Sequence, residues 1–344
     1  MNNKERFIAA VERKEIDRPA SWLGVPHAEA EGMLLKHFKV NTINELIIAL
    51  DDDVVPVSLP YHSPVSDAIY AAFDFAKTGD VDNEHRTLTT EGYFADITDA
   101  DKAADFDWPD PELYIDTDLC RRAVSNVPQG RAVMGVIWSA HFQDSCSAFG
   151  MEKALMAMYN YPELYKEVIG RIVDFYLKAN EIYYESTKGK LDAVLIGNDF
   201  GSQLSLMVSP DMLRKFVFDG TKKLVDQAHS YGLKVVHHSC GSIRDIIPDL
   251  INIGVDVIHP IQALAAGMEP AGLKNDFGDK VSFCGGVDAQ QLLVNGSPEE
   301  VSQKVRELAD IFPTGLVISP SHEAILPDIS PANIEAIYTT LNSL

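Results

Sequence analysis

Basic residues are scarce in this 344-residue chain, which has 29 lysines and arginines against 51 aspartates and glutamates. The formal net charge at pH 7 is −22. Nucleic acids and anionic membrane surfaces bind positively charged proteins, so this balance argues against both as partners. It argues less strongly against a polyanionic substrate, because a local basic pocket can overcome the overall field.

Long apolar runs and clustered cysteines are also lacking. No run reaches the roughly 18 apolar residues that a membrane-spanning helix needs, and the polar segment 1–19 has no signal-peptide core. The cysteines are widely spaced, unlike those of a disulfide framework. We therefore expect a soluble cytoplasmic protein. The four cysteines are Cys120, Cys146, Cys240 and Cys284.

Several common catalytic motifs are missing as well. The chain has no G-x-G-x-x-G after a strand, no P-loop and no G-x-S-x-G. Nicotinamide, nucleotide and serine-hydrolase chemistry therefore have little support.

Short apolar runs rich in β-branched residues alternate with helix-like segments along the chain. Buried strands that alternate with helices form a parallel sheet, and eight of them favour a (β/α)8 TIM barrel over an open sheet. With 46% hydrophobic residues, the chain can bury a sizeable core. The predicted strands lie in segments 19–25, 53–60, 131–138, 191–199, 233–240, 255–262, 280–288 and 315–322.

The helix signals include a Ser-Pro start at Ser209, which predicts one helix over 209–232, and a helix over 241–254 with a kink at Pro248. Residues 61–130 are acidic and loop-like, and we interpret them as an insertion that carries a small subdomain. No linker is visible, so the chain 1–344 is predicted to be a single domain.

Polar side chains gather where the predicted strands end, and active sites of barrels lie at the carboxyl ends of the strands. His238 and Cys240 have i, i+2 spacing, so both can face the barrel mouth while His237 faces outward. An imidazole and a thiolate are good zinc ligands, and His322 can supply a third. Buried residues that are merely neighbours in sequence remain the alternative.

Other strand ends supply candidates for catalysis and binding. Asp199 can bind substrate, act as a general base or cap a turn, and Gln262, Asp288 and His141 are candidate substrate contacts. Cys284 is either a functional group or a packed core residue.

The chain resembles the uroporphyrinogen decarboxylase superfamily. The resemblance rests on HSCGSIRDIIPDLINIGVDVIHPIQ (238–262), FCGGVD (283–288) and SPSHEAILPDISPANI (319–334), with the opening NNKERFIAAVERKEIDRP (2–19). It covers nearly the whole chain and implies the barrel independently of the strand count. A homodimer is an expectation from the superfamily only.

The superfamily contains cofactor-free decarboxylases and zinc-dependent methyltransferases that act with corrinoid proteins. The decarboxylases carry an arginine-rich R-Q-A-G-R loop after the first strand, and the corresponding residues 21–33 contain no arginine. A substrate with eight carboxylates needs such cations. The resemblance therefore favours methyl transfer.

The methyltransferases carry H-x-C after one strand and a further cysteine near the end of the chain. His238, Cys240 and Gly241 match the first part, and His322 stands where those enzymes have cysteine. The resemblance thus implies zinc held by His238, Cys240 and His322, with Asp199 and Cys240 as catalytic residues. The expected reaction moves a methyl group between a corrinoid protein and a thiol or other small molecule. Uroporphyrinogen decarboxylation and a non-catalytic tetrapyrrole-binding barrel are the alternatives.

Overall fold

The computed structural model describes residues 1–62, 68–76 and 87–344. Its strands are β1 (Ala20–Ser21), β2 (Val25–Pro26), β3 (Val54–Ser58), β4 (Ala132–Trp138), β5 (Ala193–Gly197), β6 (Lys234–His238), β7 (Val257–Ile261), β8 (Ser282–Val287), β9 (Leu316–Pro320) and β10 (Ala324–Ile325).

Helices surround these strands. They are α1 (Asn3–Val11), α2 (Ala28–Phe38), α3 (Ile43–Leu50), α4 (Thr117–Ser125), α5 (His141–Phe149), α6 (Met151–Asn160), α7 (Pro162–Ser186), α8 (Pro210–Phe216), α9 (Phe218–Ser230), α10 (Ile247–Ile253), α11 (Pro270–Phe277), α12 (Leu292–Asn295), α13 (Pro298–Ile311) and α14 (Pro331–Leu341).

Eight strands form one parallel sheet in the order β1-β9-β8-β7-β6-β5-β4-β3. The sheet curls into a nearly closed barrel, with β1 and β3 as its two edges. Each predicted strand segment contains one of these eight strands, so the predicted TIM barrel is confirmed. A separate two-stranded sheet pairs β2 with β10, which joins the segment after β1 to the segment after β9.

Alternation along the strands divides the core into two layers. Val236 and Val257 pack inside the barrel, whereas Val235 and Ile258 pack against the surrounding helices. Phe7 of α1 joins the inner layer. Burial of a side chain of this size stabilises the fold by roughly 1.5–3 kcal/mol.

Carboxylates close the gap between the two edge strands. Asp53 accepts a hydrogen bond from the backbone N–H of Ser21 at 2.8 Å, and Asp52 accepts one from the N–H of Leu23 at 2.8 Å. Arg6, whose Nη1 lies 2.6 Å from Asp53, neutralises this buried negative charge. Between β1 and β3, side-chain hydrogen bonds therefore take the place of the backbone hydrogen bonds that join neighbouring strands around the rest of the barrel.

Two helix predictions were wrong in detail. The segment 209–232 forms two helices, α8 and α9, which meet at Val217, although Ser209 caps the first of them as expected. Pro248 lies in the first turn of α10, where its missing N–H needs no partner, and therefore does not kink the helix.

The structure describes the predicted insertion, 61–130, only in part, because residues 63–67 and 77–86 lie outside the described ranges. The rest contains α4, the 3₁₀ turns Ile69–Ala72, Ala100–Asp105 and Pro111–Leu113, and a cluster of aromatic rings that includes Phe73, Phe94 and Trp108. The subdomain assignment and the single-domain assignment stay predictions. Across the described ranges, no helix has both the length and the apolar character needed to cross a membrane.

Candidate metal centre at the barrel mouth

Three polar side chains converge where β5 and β6 end. Nε2 of His238 lies 3.2 Å from Oδ1 of Asp199 and 3.3 Å from Sγ of Cys240. The same Asp199 oxygen accepts the backbone N–H of Cys240 at 2.9 Å. The ends of neighbouring parallel strands thus bring an imidazole, a thiol and a carboxylate to one point.

A glycine permits this approach of the two strand ends. A Cβ at Gly197, the last residue of β5, would lie 2.3 Å from the carbonyl oxygen of His238 and 2.6 Å from its Cβ. Only a residue without a side chain fits there. Gly197, two residues before Asp199, therefore admits the backbone of β6.

The other nitrogen of His238 faces a second group. Nδ1 of His238 lies 3.0 Å from Nδ1 of His259 and 3.3 Å from Oε2 of Glu323. Trp138 packs edge-on against the His238 ring, with the ring centroids 5.3 Å apart. Sequence reasoning missed Glu323 and Trp138. The charged residue directly after the candidate ligand His322 was the signal for the first, whereas nothing in the sequence marked the second.

Electrostatics couple the three converging side chains. Burial alone would lower the pKa of His238, but hydrogen bonds with Asp199 and Cys240 and the charge of Glu323 raise the pKa well above its usual value. Burial would raise the pKa of Asp199, whereas its hydrogen bond with His238 lowers the pKa to about 2. Burial would likewise raise the pKa of the Cys240 thiol, and hydrogen bonds with His238 and His322 lower it instead. A thiol with a lowered pKa more readily becomes the thiolate that binds metals.

His322 lies at the outer side of this group. Its ring centroid is 6.0 Å from that of His238, its side chain is 42% exposed, and its Nδ1 accepts the backbone N–H of Ala324 at 3.0 Å. The hydrogen bond with Cys240 raises the pKa of His322 despite burial. A neutral imidazole that binds a cation through Nε2 carries its proton on Nδ1, so ligation requires that the bond from Ala324 be released.

Two sets of three residues bring their ligand atoms within 4.8 Å of one another in the described part of the chain. One comprises Asp199, His238 and Cys240, and the other comprises His238, His259 and Glu323. The first offers oxygen, nitrogen and sulfur, the donor set that suits zinc. Because the strand ends hold an oxygen, a nitrogen and a sulfur donor close together, these residues fit a zinc ion.

The remaining predicted contacts have structural partners. Gln262 accepts the backbone N–H of Gly241 at 2.7 Å and so fixes the turn after Cys240. Asp288 accepts backbone N–H groups of the turn that follows it, including that of Gln291 at 2.7 Å. His141 is fully buried in the first turn of α5, and its ring nitrogens lie 3.1 Å and 3.2 Å from backbone carbonyl oxygens. The roles of these three residues in substrate binding stay predictions.

Two further residues lie apart from the cluster. Cys284 packs in the inner core of the barrel, and burial raises the pKa of its thiol. His237 faces the helices and stacks on Phe200, with the ring centroids 6.0 Å apart. Neither residue belongs to a set of close ligand atoms among the described ranges.

The fold and this cluster define the class: a (β/α)8 barrel with an H-x-C group at the carboxyl ends of its strands. The family model of uroporphyrinogen decarboxylase (URO-D) matches residues 85–344, more than half of the chain. The chain therefore belongs to the URO-D family.

Solved structures share the fold. A methyltransferase from Methanosarcina mazei superposes with a TM-score of 0.71 at 17% identity, over 100% of this chain and 99% of that one. A candidate vitamin-B12-independent methionine synthase from Listeria monocytogenes gives a TM-score of 0.46 at 13% identity, over 95% of this chain and 96% of that one. The first likeness shows the fold, and the second is too weak to support a conclusion. A comparison with curated protein sequences found no match.

Proposed function

We propose that this protein is a zinc-dependent methyltransferase that moves a methyl group between a corrinoid protein and a thiol or other small molecule. The observation that carries the proposal is the convergence of Asp199, His238 and Cys240, whose ligand atoms lie within 4.8 Å of one another at the barrel mouth. The group lies at the carboxyl ends of the barrel strands, where a catalytic site is expected.

His238 and Cys240 supply two zinc ligands in this proposal, and His322 supplies the third. Asp199 is the second candidate for the third position, because its carboxylate lies in the same cluster. Bound zinc would act as a Lewis acid that makes a thiol more acidic.

Asp199 is the proposed base and substrate contact. Its side chain is 41% exposed at the mouth, so an arriving substrate thiol can donate a hydrogen bond to it. Asp199 takes the thiol proton and passes it to solvent, the substrate sulfur forms a bond to the methyl carbon, and the electron pair of the broken bond stays on the donor. Cys240 stays bonded through its backbone N–H to Asp199, which keeps the carboxylate beside the metal ligands.

Two observations favour methyl transfer over decarboxylation within the family. Residues 21–33 have no arginine to hold substrate carboxylates, and the net charge of −22 repels a polyanion. The fold-level neighbour from Methanosarcina mazei is itself a methyltransferase. The likeness in fold adds support by analogy only.

The test combines zinc content with methyl transfer from methylcobalamin to small thiols. The wild-type protein is expected to bind zinc and to catalyse transfer, and Cys240→Ala is expected to lose at least about 100-fold in rate, as when a group central to charge stabilisation is removed. Cys120→Ala is the matched control, because Cys120 is buried in α4 and lies outside the cluster.

Full methyl transfer by Cys240→Ala would overturn the proposal. Turnover of uroporphyrinogen without zinc would support decarboxylation instead. Tight binding of a tetrapyrrole without turnover in either assay would support the non-catalytic alternative.

A further inference from the structure

Glu323 is a carboxylate held inside the barrel mouth without a full set of hydrogen bonds. Its side chain is 12% exposed, and Oε2 is a buried atom with no hydrogen-bond partner in the described chain. A buried polar atom without a partner costs free energy and calls for a physical reason.

Two imidazole nitrogens flank this oxygen. Oε2 of Glu323 lies 3.3 Å from Nδ1 of His238 and 3.4 Å from Nδ1 of His322, but neither contact has the direction of a hydrogen bond. On the other side of its ring, His238 directs Nε2 at Sγ of Cys240, 3.3 Å away, and interaction with the same thiol raises the pKa of His322. Glu323 therefore lies behind both histidines proposed to bind zinc.

Ligation of a metal ion would turn these contacts into donor–acceptor pairs. A neutral imidazole has one lone pair, so a ring that binds a cation through Nε2 carries its proton on Nδ1. The Nδ1–H groups of His238 and His322 then both need an acceptor, and Glu323 Oε2 is within 3.4 Å of each. Metal-binding histidines commonly donate their second N–H to a carboxylate, which fixes the ring orientation and strengthens the ligand.

The same argument explains why the second set of ligand atoms is not a second metal site. His238 belongs to both sets, and a neutral ring cannot donate lone pairs from both nitrogens. His259 Nδ1 is a competing acceptor 3.0 Å from His238 Nδ1. A carboxylate forms roughly twice as strong a hydrogen bond as a neutral acceptor, so Glu323 is the stronger partner.

The backbone holds Glu323 in place. The N–H of Val25 donates to the carbonyl oxygen of Glu323 at 2.6 Å, next to the pairing of β2 with β10. Gly24 has φ +96°, and a Cβ there would lie 2.3 Å from the same carbonyl oxygen. The loop after β1, the first strand of the barrel, thus holds Glu323, which follows β9, the last strand of the barrel.

We propose that Glu323 is a positioning residue that orients His238 and His322 together by accepting an N–H from each. The inference rests on the proposed zinc site. It assigns Glu323 no contact with substrate, and it predicts that the carboxylate acts on metal affinity and ligand geometry.

The test is Glu323→Gln, which preserves shape and removes the carboxylate. Zinc affinity, measured by competition with a chromophoric chelator, is expected to fall roughly 10–100-fold. The visible spectrum of the Co²⁺-substituted protein is expected to shift, because two ligands change orientation. Thermal unfolding of the chelator-treated protein should show an unchanged midpoint, which separates positioning from a structural role.

Glu335→Gln is the matched control, since Glu335 pairs with His37 at 2.7 Å on the exposed surface. It is expected to leave zinc affinity and the Co²⁺ spectrum unchanged. His259→Asn should lower zinc affinity less than Glu323→Gln does, and the reverse order would overturn the inference.

Failure of this inference and failure of the zinc site give different results. The positioning role is overturned if Glu323→Gln binds zinc as tightly as the wild type and its Co²⁺ spectrum is unshifted, while Cys240→Ala binds zinc more weakly. No zinc binding by the wild-type protein overturns both proposals.

Discussion

At the scale of single residues, His238 joins two groups of side chains through its two ring nitrogens. Nε2 faces Asp199 and Cys240, and Nδ1 faces His259 and Glu323. Substitution of one neighbouring residue therefore affects one ring nitrogen of His238, so the roles of the neighbouring residues can be separated by mutation.

The third ligand of the proposed zinc site can be assigned by comparing two variants. His322→Ala is expected to weaken zinc binding by at least about tenfold, because a ligand is lost. Asp199→Asn is expected to keep zinc and to slow methyl transfer, because the proposed base is removed. Equilibrium dialysis and the methylcobalamin assay measure the two effects. The opposite pattern would make Asp199 the ligand.

Asp144 of α5 predicts a pH dependence of stability away from the proposed site. Burial raises the pKa of this carboxyl to about 7, although the hydrogen bond from Tyr176 opposes the shift. Its contribution to stability is therefore complete at acidic pH and is lost as the pH rises through about 7. The substituted side chain in Asp144→Asn does not titrate. The difference in free energy of unfolding between this variant and the wild type should therefore shift in favour of the variant by on the order of 2 kcal/mol from pH 5 to pH 8.

Urea unfolding at both pH values measures this difference. Asp174→Asn, at an exposed position of α7, is the control and should follow the wild type. Parallel pH dependences of Asp144→Asn and the wild type would contradict the prediction.

At the scale of secondary-structure elements, local signals set where helices begin and end, but packing can divide a helix that the sequence presents as continuous. Ser209 caps α8, and Ser297 forms a capping box with Glu300 at the start of α13. The division between α8 and α9 at Val217 was not visible in the sequence. Val217 is buried, and its carbonyl oxygen lies 3.2 Å from Nε2 of His141, so a tertiary contact accompanies the break.

The end of α2 offers a stabilising substitution. Lys39 follows the helix with φ 58° and ψ 41°, the left-handed conformation in which glycine has no steric penalty. Lys39→Gly is expected to raise the free energy of unfolding by about 0.5–1 kcal/mol. Lys36→Gly, the same change inside the last turn of α2, should lower it by about 1 kcal/mol. Chemical denaturation that gave both variants the same sign would contradict the conformational argument.

At the scale of the whole molecule, the barrel is closed by charged side chains at its seam. Asp53 is fully buried and contacts Arg6, Arg18 and the backbone of Ser21. Arg6 is also buried and keeps Asp17 as a second partner at 2.7 Å, but loss of the Asp53 charge would leave its Nη1 without an anionic acceptor.

Asp53→Asn is therefore expected to lower the free energy of unfolding by roughly 1–3 kcal/mol. Asp51→Asn is the matched control, since Asp51 is 49% exposed and an exposed ion pair contributes less than about 1 kcal/mol. Urea unfolding of the two variants measures the difference. Equal losses would show that the seam does not depend on this buried pair.

The sequence by itself determined the eight strand segments and the barrel that they form. It also placed His238 toward the barrel mouth and His237 on the outer face of β6. These features follow from local rules, because the two-residue repeat of a strand and the turn signals between elements act over a few neighbouring residues.

Only the tertiary structure decided which distant segments meet. Glu323 lies behind His238 because β10 pairs with β2, and Asp53 binds Ser21 because the barrel closes on itself. These contacts join residues 85 and 32 positions apart along the chain. Local periodicity carries no information about such pairings, since they depend on the curvature of the whole sheet and on the packing of every strand around it.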